Sequence, residues 1–99
     1  MDKVVLSGYI IVPADDLAVV QQELLVHKAL TRAEAGCLVF EVTQNADNPL
    51  RFDVYEEFID AAAFNSHQQR VKASQWGAVT QAVERHYQVM GLGEITSDN

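Results

Sequence analysis

The chain has 99 residues, of which 48% are hydrophobic and 21% are charged, and its formal net charge is −7. This length predicts one domain, residues 1–99, and the composition is typical of a soluble globular protein. An acidic chain is a poor partner for nucleic acid or an anionic membrane, and no apolar run approaches the roughly 18 residues that a membrane span needs.

The N-terminus and the cysteine content bear on the compartment. The opening stretch, MDKVVLSGYIIVPADD, has a short apolar run that is followed directly by acids, which is not the layout of a signal peptide. The single cysteine, Cys37, cannot form an internal disulfide. Both features predict a cytoplasmic protein.

The first predicted elements are a strand and a helix. The strand covers Lys3 to Val12, and Pro13 ends it. An aspartate at position 15 or 16 can cap the helix and complement its dipole. The helix runs from about Asp16 to Glu34, and Gly36 is the expected C-terminal stop.

A β-hairpin is predicted next. The stretch CLVFEVTQN reads as a strand with Leu38, Phe40 and Val42 on one face. NADNP has the composition of a turn, and the following strand covers Arg51 to Ile59. Two strands joined by a short turn form a hairpin.

The last third of the chain predicts two helical segments and a strand. Asp60 can cap the segment AAAFNSHQQRV, and Ser74 can cap QWGAVTQAVERH. The last strand falls within HYQVMGLGEI, and a frayed tail is expected at 96–99.

The order β-α-β-β-α-β predicts the α+β, ferredoxin-like arrangement, an antiparallel sheet with helices on one face. The opposite sheet face would then carry an uncovered set of apolar side chains: Val5, Tyr9, Ile11, Val39, Tyr55 and Ile59. So much exposed apolar surface predicts a partner, most simply a second copy of the chain that packs against the same face.

Glu56 is the residue that points to a site. It shares a strand face with Phe52, Val54 and Phe58, and that face should meet the helices. A carboxylate there is partly desolvated, so it needs a donor or a cation, or it will be protonated.

Several other polar or aromatic side chains converge on the same layer. His27 and His67 lie at the edges of helical apolar stripes, Phe40 lies on the neighbouring strand, and Trp76 and Thr80 share a helix face. Together with Glu56 they predict an apolar cavity with a few polar groups, which is typical of a small-molecule site. The alternative for each residue is structural: Glu56 can pair with a core cation, and the histidines and Trp76 can be packing residues.

Other kinds of site are not indicated. The three histidines are far apart in sequence, no CxxC or HExxH motif occurs, and no metal site is expected. The glycines form neither GxGxxG nor a P-loop, and no GxSxG nucleophile elbow is present.

Three stretches of the sequence resemble the antibiotic biosynthesis monooxygenase (ABM) domain family: HKALTRAEAGCLVFEVTQNADNPLRF, VYEEFIDAAAFNSHQQRV and SQWGAVT. The first matches the pattern TRAExGCxxFEV followed by a short acidic turn and P-x-RF. In the second, a strand ends in acidic residues and a helix carries a histidine after AAF. The resemblance implies a dimeric α+β barrel in which two ferredoxin-like sheets pack face to face.

The resemblance also implies a pocket between each sheet and its own helices. Glu56 and His67 match the family's recurrent Glu and His, and His27, Phe40 and Trp76 match pocket-side positions. Characterised members oxidise polycyclic phenols or quinols with O2 and no metal or organic cofactor, isomerise a small phosphorylated sugar-like molecule, or degrade haem. A phosphosugar site needs converging cations, and here Arg51, Arg70 and Lys72 are few.

Three functions therefore stay open. The first is a cofactor-independent monooxygenase of a small aromatic molecule, with His67 as general base and Glu56 orienting the imidazole. The second is an isomerase or other proton-transfer enzyme that uses the same His and Glu. The third is a non-catalytic module that binds a hydrophobic ligand. The aromatic character of the pocket favours the first over the second.

Overall fold

The computed structural model describes residues 3–92. Its elements are β1 (Val4–Ile11), α1 (Leu17–Arg32), β2 (Cys37–Gln44), β3 (Arg51–Phe58), α2 (Ala61–Lys72), α3 (Gln75–Val79) and β4 (Glu84–Met90). The strands form one antiparallel sheet in the order β2-β3-β1-β4. The α+β, ferredoxin-like fold expected from the sequence is confirmed. Among residues 3–92 no helix is both long and apolar enough to cross a membrane.

The core lies between the sheet and the helices. Alternate residues of β1 and β3 are buried, and they pack against one stripe of α1 and against α2. The most deeply buried large side chains include Phe52 and Phe58 of β3, while Phe64 of α2 packs edge-on to Phe58 with ring centroids 5.7 Å apart. Burial of this apolar surface is the main stabilising term of the fold.

Side-chain caps begin α2 and α3 as the sequence predicts. The Asp60 carboxylate accepts from the backbone N–H of Ala63 at 2.8 Å, and the Ser74 hydroxyl accepts from that of Gly77 at 3.1 Å. The start of α1 differs, because a 3-10 turn over Ala14–Asp16 precedes it and Asp16 makes no side-chain cap hydrogen bond.

The third helix is shorter than the sequence predicts. It ends at Val79, although the pattern extends the helical segment to residue 86. The Thr80 hydroxyl donates to the Trp76 carbonyl, and β4 begins at Glu84, pairing residue by residue with β1. Residues 84–86, which the pattern places in the helix, instead pair with β1 as the start of β4. The rest of the predicted last strand, from residue 93, and the tail at 96–99 lie outside the described residues.

A β-bulge changes the face of one predicted core residue. Cys37 pairs with Phe58 and Val39 with Glu57, so Leu38 is the extra residue between them. Phe40 and Val42 are buried as predicted, but Leu38 is 52% exposed. The bulge moves it out of the alternation that the sequence suggested.

The loop after α1 approaches α2 closely. The helix ends at Arg32 and not near Gly36, so this glycine is not its stop. A Cβ at Gly36 would lie 2.3 Å from the Ala63 Cβ, and only glycine permits that approach. The contact holds the α1–β2 loop against the first turn of α2.

Candidate active site

A cavity of about 570 Å³ lies between the sheet and the helices. Four of the six predicted site residues line it: Glu56, His67, His27 and Trp76. The remaining walls come from apolar residues (Leu6, Val71, Gly77), neutral polar residues (Gln68, Gln81, Tyr87) and two cations (Lys72, Arg85). The size and the mixed lining are typical of a small-molecule site.

His67 occupies the inner end of this cavity and is held by a carboxylate that the sequence analysis did not identify. The ring is 3% exposed, and its Nδ1 lies 2.9 Å from Glu34 Oε1. The other oxygen of Glu34 accepts from Arg70 Nε, and Arg70 Nη2 donates to the Thr31 hydroxyl at 3.0 Å. Glu34 is therefore fixed on both oxygens and fixes the imidazole in turn.

The tautomer of His67 follows from that contact. An ionised carboxylate only accepts hydrogen bonds, so a neutral His67 carries its proton on Nδ1 and leaves the Nε2 lone pair free. Burial lowers the pKa of His67, and the charge and hydrogen bond of Glu34 partly oppose this effect. The net result is a neutral imidazole with a basic nitrogen directed away from Glu34.

Glu56 stands on the other side of that nitrogen. Its Oε1 lies 3.9 Å from His67 Nε2, which is beyond hydrogen-bond distance, and has no hydrogen-bond partner among the described residues. Glu34 therefore holds the ring in the way that was predicted for Glu56. Burial, and secondarily the charge of Glu34, raises the pKa of Glu56 to about 8. At neutral pH this carboxyl keeps its proton and is a hydrogen-bond donor.

An aromatic wall closes one side of the cavity. The rings of His27 and Trp76 stack with centroids 4.6 Å apart and an interplanar angle of 3°. Burial, followed by the neighbouring His67 and Arg70, lowers the pKa of His27 to about 3, so this ring is neutral. Phe40 does not line the cavity; it lies behind the wall, edge-on to His27 at 5.2 Å and to His67 at 6.1 Å.

Thr80 does not line the cavity either. Its side chain is fully buried, and its hydroxyl donates to the Trp76 carbonyl at 2.7 Å. The same hydroxyl accepts from Arg85 Nη2 at 3.2 Å. Thr80 therefore contributes by holding Trp76 and Arg85, and a direct contact with a ligand is not supported by its position.

Glu34 and Tyr87 are among the groups at the site that were missed from the sequence. Glu34 lies within the stretch TRAEAGC, which carried the family resemblance, but the periodicity placed it at a helix end. Tyr87 lies on the helix-facing side of β4, where burial raises the pKa of its phenol to about 12. The available signal was the alternation of Tyr87 with Val89 in the predicted last strand, since both residues face the helices.

The arrangement places a base, His67 Nε2, and an acid, Glu56, 3.9 Å apart on the lining of the cavity. Nε2 of His67 can take a proton from a ligand, and the protonated Glu56 can give a hydrogen bond or a proton to the same ligand. Within residues 3–92 no three His, Cys, Asp or Glu side chains are grouped to hold a metal ion. Glu34 and Glu56 lie at opposite ring nitrogens of His67, so they do not converge on one point.

Comparison with known families assigns the chain. Residues 4–85 match the family described as antibiotic biosynthesis monooxygenase, which is most of the chain and includes every residue of the site except Tyr87. The chain belongs to this family. The match confirms the resemblance that three short stretches indicated, and no curated protein gives a significant match.

Solved structures agree on the fold. A conserved Bacteroides thetaiotaomicron protein of unknown function superimposes with a TM-score of 0.75 at 15% identity, covering 89% of this chain and 95% of that one. A Deinococcus radiodurans protein described as a candidate antibiotic biosynthesis monooxygenase gives 0.70 at 23% identity, covering 92% and 93%. A Shewanella oneidensis protein gives 0.66 at 25% identity, covering 89% and 92%.

Proposed function

We propose that this member of the family is a monooxygenase that needs no organic cofactor or metal and oxidises a small quinol- or phenol-like aromatic molecule with O2. The observation that carries the proposal is the free Nε2 of His67, which faces the cavity while Glu34 holds Nδ1. A phenol must lose its proton before it can pass an electron to oxygen, and this nitrogen is the general base.

The residues around His67 support each part of that step. When Nε2 takes the phenolic proton, the resulting imidazolium is stabilised by the ionised Glu34 at 2.9 Å. The protonated carboxyl of Glu56 donates to an oxygen of the substrate or of the reduced dioxygen. For a phenol with a hydrogen on the ring carbon para to its hydroxyl, the C–OH and C–H groups together with O2 give two C=O groups and H2O, so the substrate supplies all the electrons and the second oxygen atom leaves as water.

The aromatic wall orients the substrate. Trp76 is half-buried at the cavity surface and is held flat by its stack with His27, so it offers one face to a planar ring. Such stacking places the substrate hydroxyl towards His67 and Glu56. Leu6, Val71 and Trp76 cover the substrate anion with apolar surface, and this partial exclusion of water strengthens the electrostatic contacts around it.

Isomerisation is the second candidate, because the same acid and base suit it. An enzyme that shifts a proton between two carbons needs one group to remove it and another to return it, and His67 and Glu56 lie 3.9 Å apart on the cavity lining. This chemistry consumes no oxygen. Oxygen uptake therefore separates the two candidates.

We also propose that two copies pair through their uncovered sheet faces. The six apolar residues predicted on that face are exposed or half-buried in the single chain; Tyr55 and Ile59 are 39% and 47% exposed. A second copy would cover them. Sedimentation equilibrium tests this proposal: a dimer supports it, and a monomer at micromolar concentration contradicts it.

The test of the proposed function is oxygen uptake by metal-stripped protein with a panel of reduced naphthoquinols and anthrones. His67→Ala removes the base, and His67→Asn also removes Nε2 but keeps a donor for Glu34. We expect both variants to lose roughly 10²–10⁴-fold in turnover. His86→Ala is the matched control, because its ring lies on the opposite sheet face.

Autoxidation is subtracted with a protein-free sample. Uptake by the native chain and His86→Ala, lost in both His67 variants, supports the oxygenase. Turnover of the panel without oxygen consumption supports the isomerase. Binding of the panel with neither kind of turnover contradicts both and favours a ligand-binding module.

A further inference from the structure

The cations of this chain are distributed unevenly. Lysine and arginine number seven against 14 acids, and four of them form ion pairs: Lys3, Arg32, Arg51 and Arg70. The other three, Lys28, Lys72 and Arg85, have no carboxylate within 4.0 Å among residues 3–92. Two of these three, Lys72 and Arg85, line the cavity. A chain of net charge −7 thus keeps two unpaired cations at one small-molecule site.

No ionised acid among the lining residues offsets them. Glu56 is the one carboxyl in the described lining, and burial raises its pKa to about 8, so it is neutral at pH 7. The two histidines of the lining, His27 and His67, are buried rings whose pKa values are lowered. The cavity therefore has a neutral acid–base end and carries positive charge elsewhere on its wall.

Arg85 lines the cavity from an exposed position at the start of β4. Its Nη2 donates to the Thr80 carbonyl at 3.0 Å and to the Thr80 hydroxyl at 3.2 Å, which fixes the guanidinium at the start of β4. Lys72, in the last turn of α2, is exposed and makes no side-chain hydrogen bond among the described residues. A fixed guanidinium and a free ammonium together suit an anionic oxygen group.

We infer that the cavity takes aromatic molecules that bear a carboxylate or phosphate, whose oxygens bind Lys72 and Arg85 while the ring lies against Trp76 and a hydroxyl reaches His67. This inference rests on the proposed function and names the substrate class for the same site. Arg51 and Arg70 do not line the cavity, whereas Arg85, which the sequence analysis did not identify, does.

The test is equilibrium binding by calorimetry, which does not depend on turnover. The probes are 6-hydroxy-2-naphthoate, its neutral methyl ester, 2-naphthol and 2-naphthyl phosphate. We expect the acid to bind about ten-fold more tightly than its ester at low salt, with the preference shrinking as KCl is added. The phosphate arm, compared with 2-naphthol, shows which anion the site prefers.

Three variants test whether the preference for the acid over its ester depends on the cations that line the cavity. Lys72→Met and Arg85→Gln should each reduce the preference for the acid over its ester several-fold. Lys28→Met is the matched control, because it removes another unpaired cation that is not part of the lining. Circular dichroism checks folding, and Lys72→Met keeps the test decisive if Arg85→Gln is unstable after losing its bonds to Thr80.

The outcomes separate this inference from the proposed function. A preference for the anion that is lost in Lys72→Met and kept in Lys28→Met supports the inference, whether or not oxygen is consumed. Equal binding of acid and ester overturns it, even if neutral quinols are oxidised. An equal loss in Lys72→Met and Lys28→Met also overturns it, because net charge alone would then explain the effect.

Discussion

Both faces of the sheet carry glutamate side chains, but the pKa of the glutamate is raised on one face and lowered on the other. Glu56 and Glu57 are neighbours in β3 and point to opposite faces. Burial raises the pKa of Glu56 to about 8. Hydrogen bonds from Tyr55 and Lys3 lower the pKa of Glu57. One step along the strand therefore separates a neutral acid from a stabilised carboxylate.

The other polar groups follow the same division. On the uncovered face, Arg51 pairs with Asp53 at 2.9 Å and lies 3.9 Å from the ring centroid of Tyr9, on which His86 stacks. In the single chain those groups have partners and contact solvent. On the helix-covered face, His27 Nδ1 and Glu56 Oε1 are buried without a partner among the described residues. Buried polar atoms that lack a partner cost stability, so the covered face is where a ligand has groups to satisfy.

The largest expected effect is on turnover, through Glu34. Glu34→Gln removes the charge that holds His67 Nδ1 and stabilises the imidazolium, so we expect a loss of roughly 10²-fold in kcat with little change in KM. Glu34 is a positioning residue that raises the pKa of His67, so Glu34→Gln should also shift the acidic limb of the pH–rate profile. The measurement is the initial rate across pH 5 to 9.

Glu57→Gln is the matched control for that variant, since it removes a carboxylate from the opposite face. It should leave the rate and the pH profile unchanged. Equal losses in the two variants would contradict the difference between the faces.

The next effect is on stability against pH, through Glu56. Its pKa rises from an ordinary value of 4.5 to about 8 on folding, so its favourable contribution is complete below pH 4.5 and is lost as the pH rises through 8. This loss is on the order of 4 kcal/mol. Glu56→Gln cannot ionise, and urea unfolding at pH 5, 7 and 9 should show a smaller fall in stability than the native chain.

Glu57 gives the opposite sign. Its lowered pKa stabilises the fold above pH 4.5, and the contribution disappears as the pH falls through the folded-state value. Glu57→Gln should therefore change the acid side of the stability curve and leave the slope between pH 5 and 9 in place. A flattened alkaline slope in this variant would count against the assignment to Glu56.

The smallest effects compare two arginines. Arg70→Met leaves the half-buried Glu34 without its cation and the Thr31 hydroxyl without a donor, and should cost about 2–3 kcal/mol in the free energy of unfolding. Arg51→Met removes an exposed pair and a cation–π contact, and should cost about 1 kcal/mol or less. Urea unfolding at pH 7 measures both, and equal costs would contradict the account.

The sequence predicts the fold well because the alternation in β1 and β3 is regular and the caps at Asp60 and Ser74 are local signals. It fails where a long-range contact decides the outcome. Leu38 leaves the core because of a bulge against β3, and the end of α3 gives way to pairing between β4 and β1. The local sequence pattern indicates neither the bulge at Leu38 nor the early end of α3.

The sequence brought four of the six candidate residues to one cavity but did not predict the contacts between them. These four residues line the cavity: Glu56, His67, His27 and Trp76. Helix or strand periodicity predicts which face of its element each of them occupies. Glu34 was missed because it lies in a loop, where periodicity says nothing about direction. Its position depends on the close approach of Gly36 to α2, which is a tertiary contact.

The most direct test of this account is the titration of the side-chain carboxyls by carbon-13 NMR, with Glu56 and Glu57 assigned by the two Gln variants. We expect an apparent pKa near 8 for Glu56 and one below 4.5 for Glu57. We also expect a His67 ring with its proton on Nδ1 at neutral pH. A Glu56 that titrates at or below 4.5 would contradict the neutral acid opposite His67.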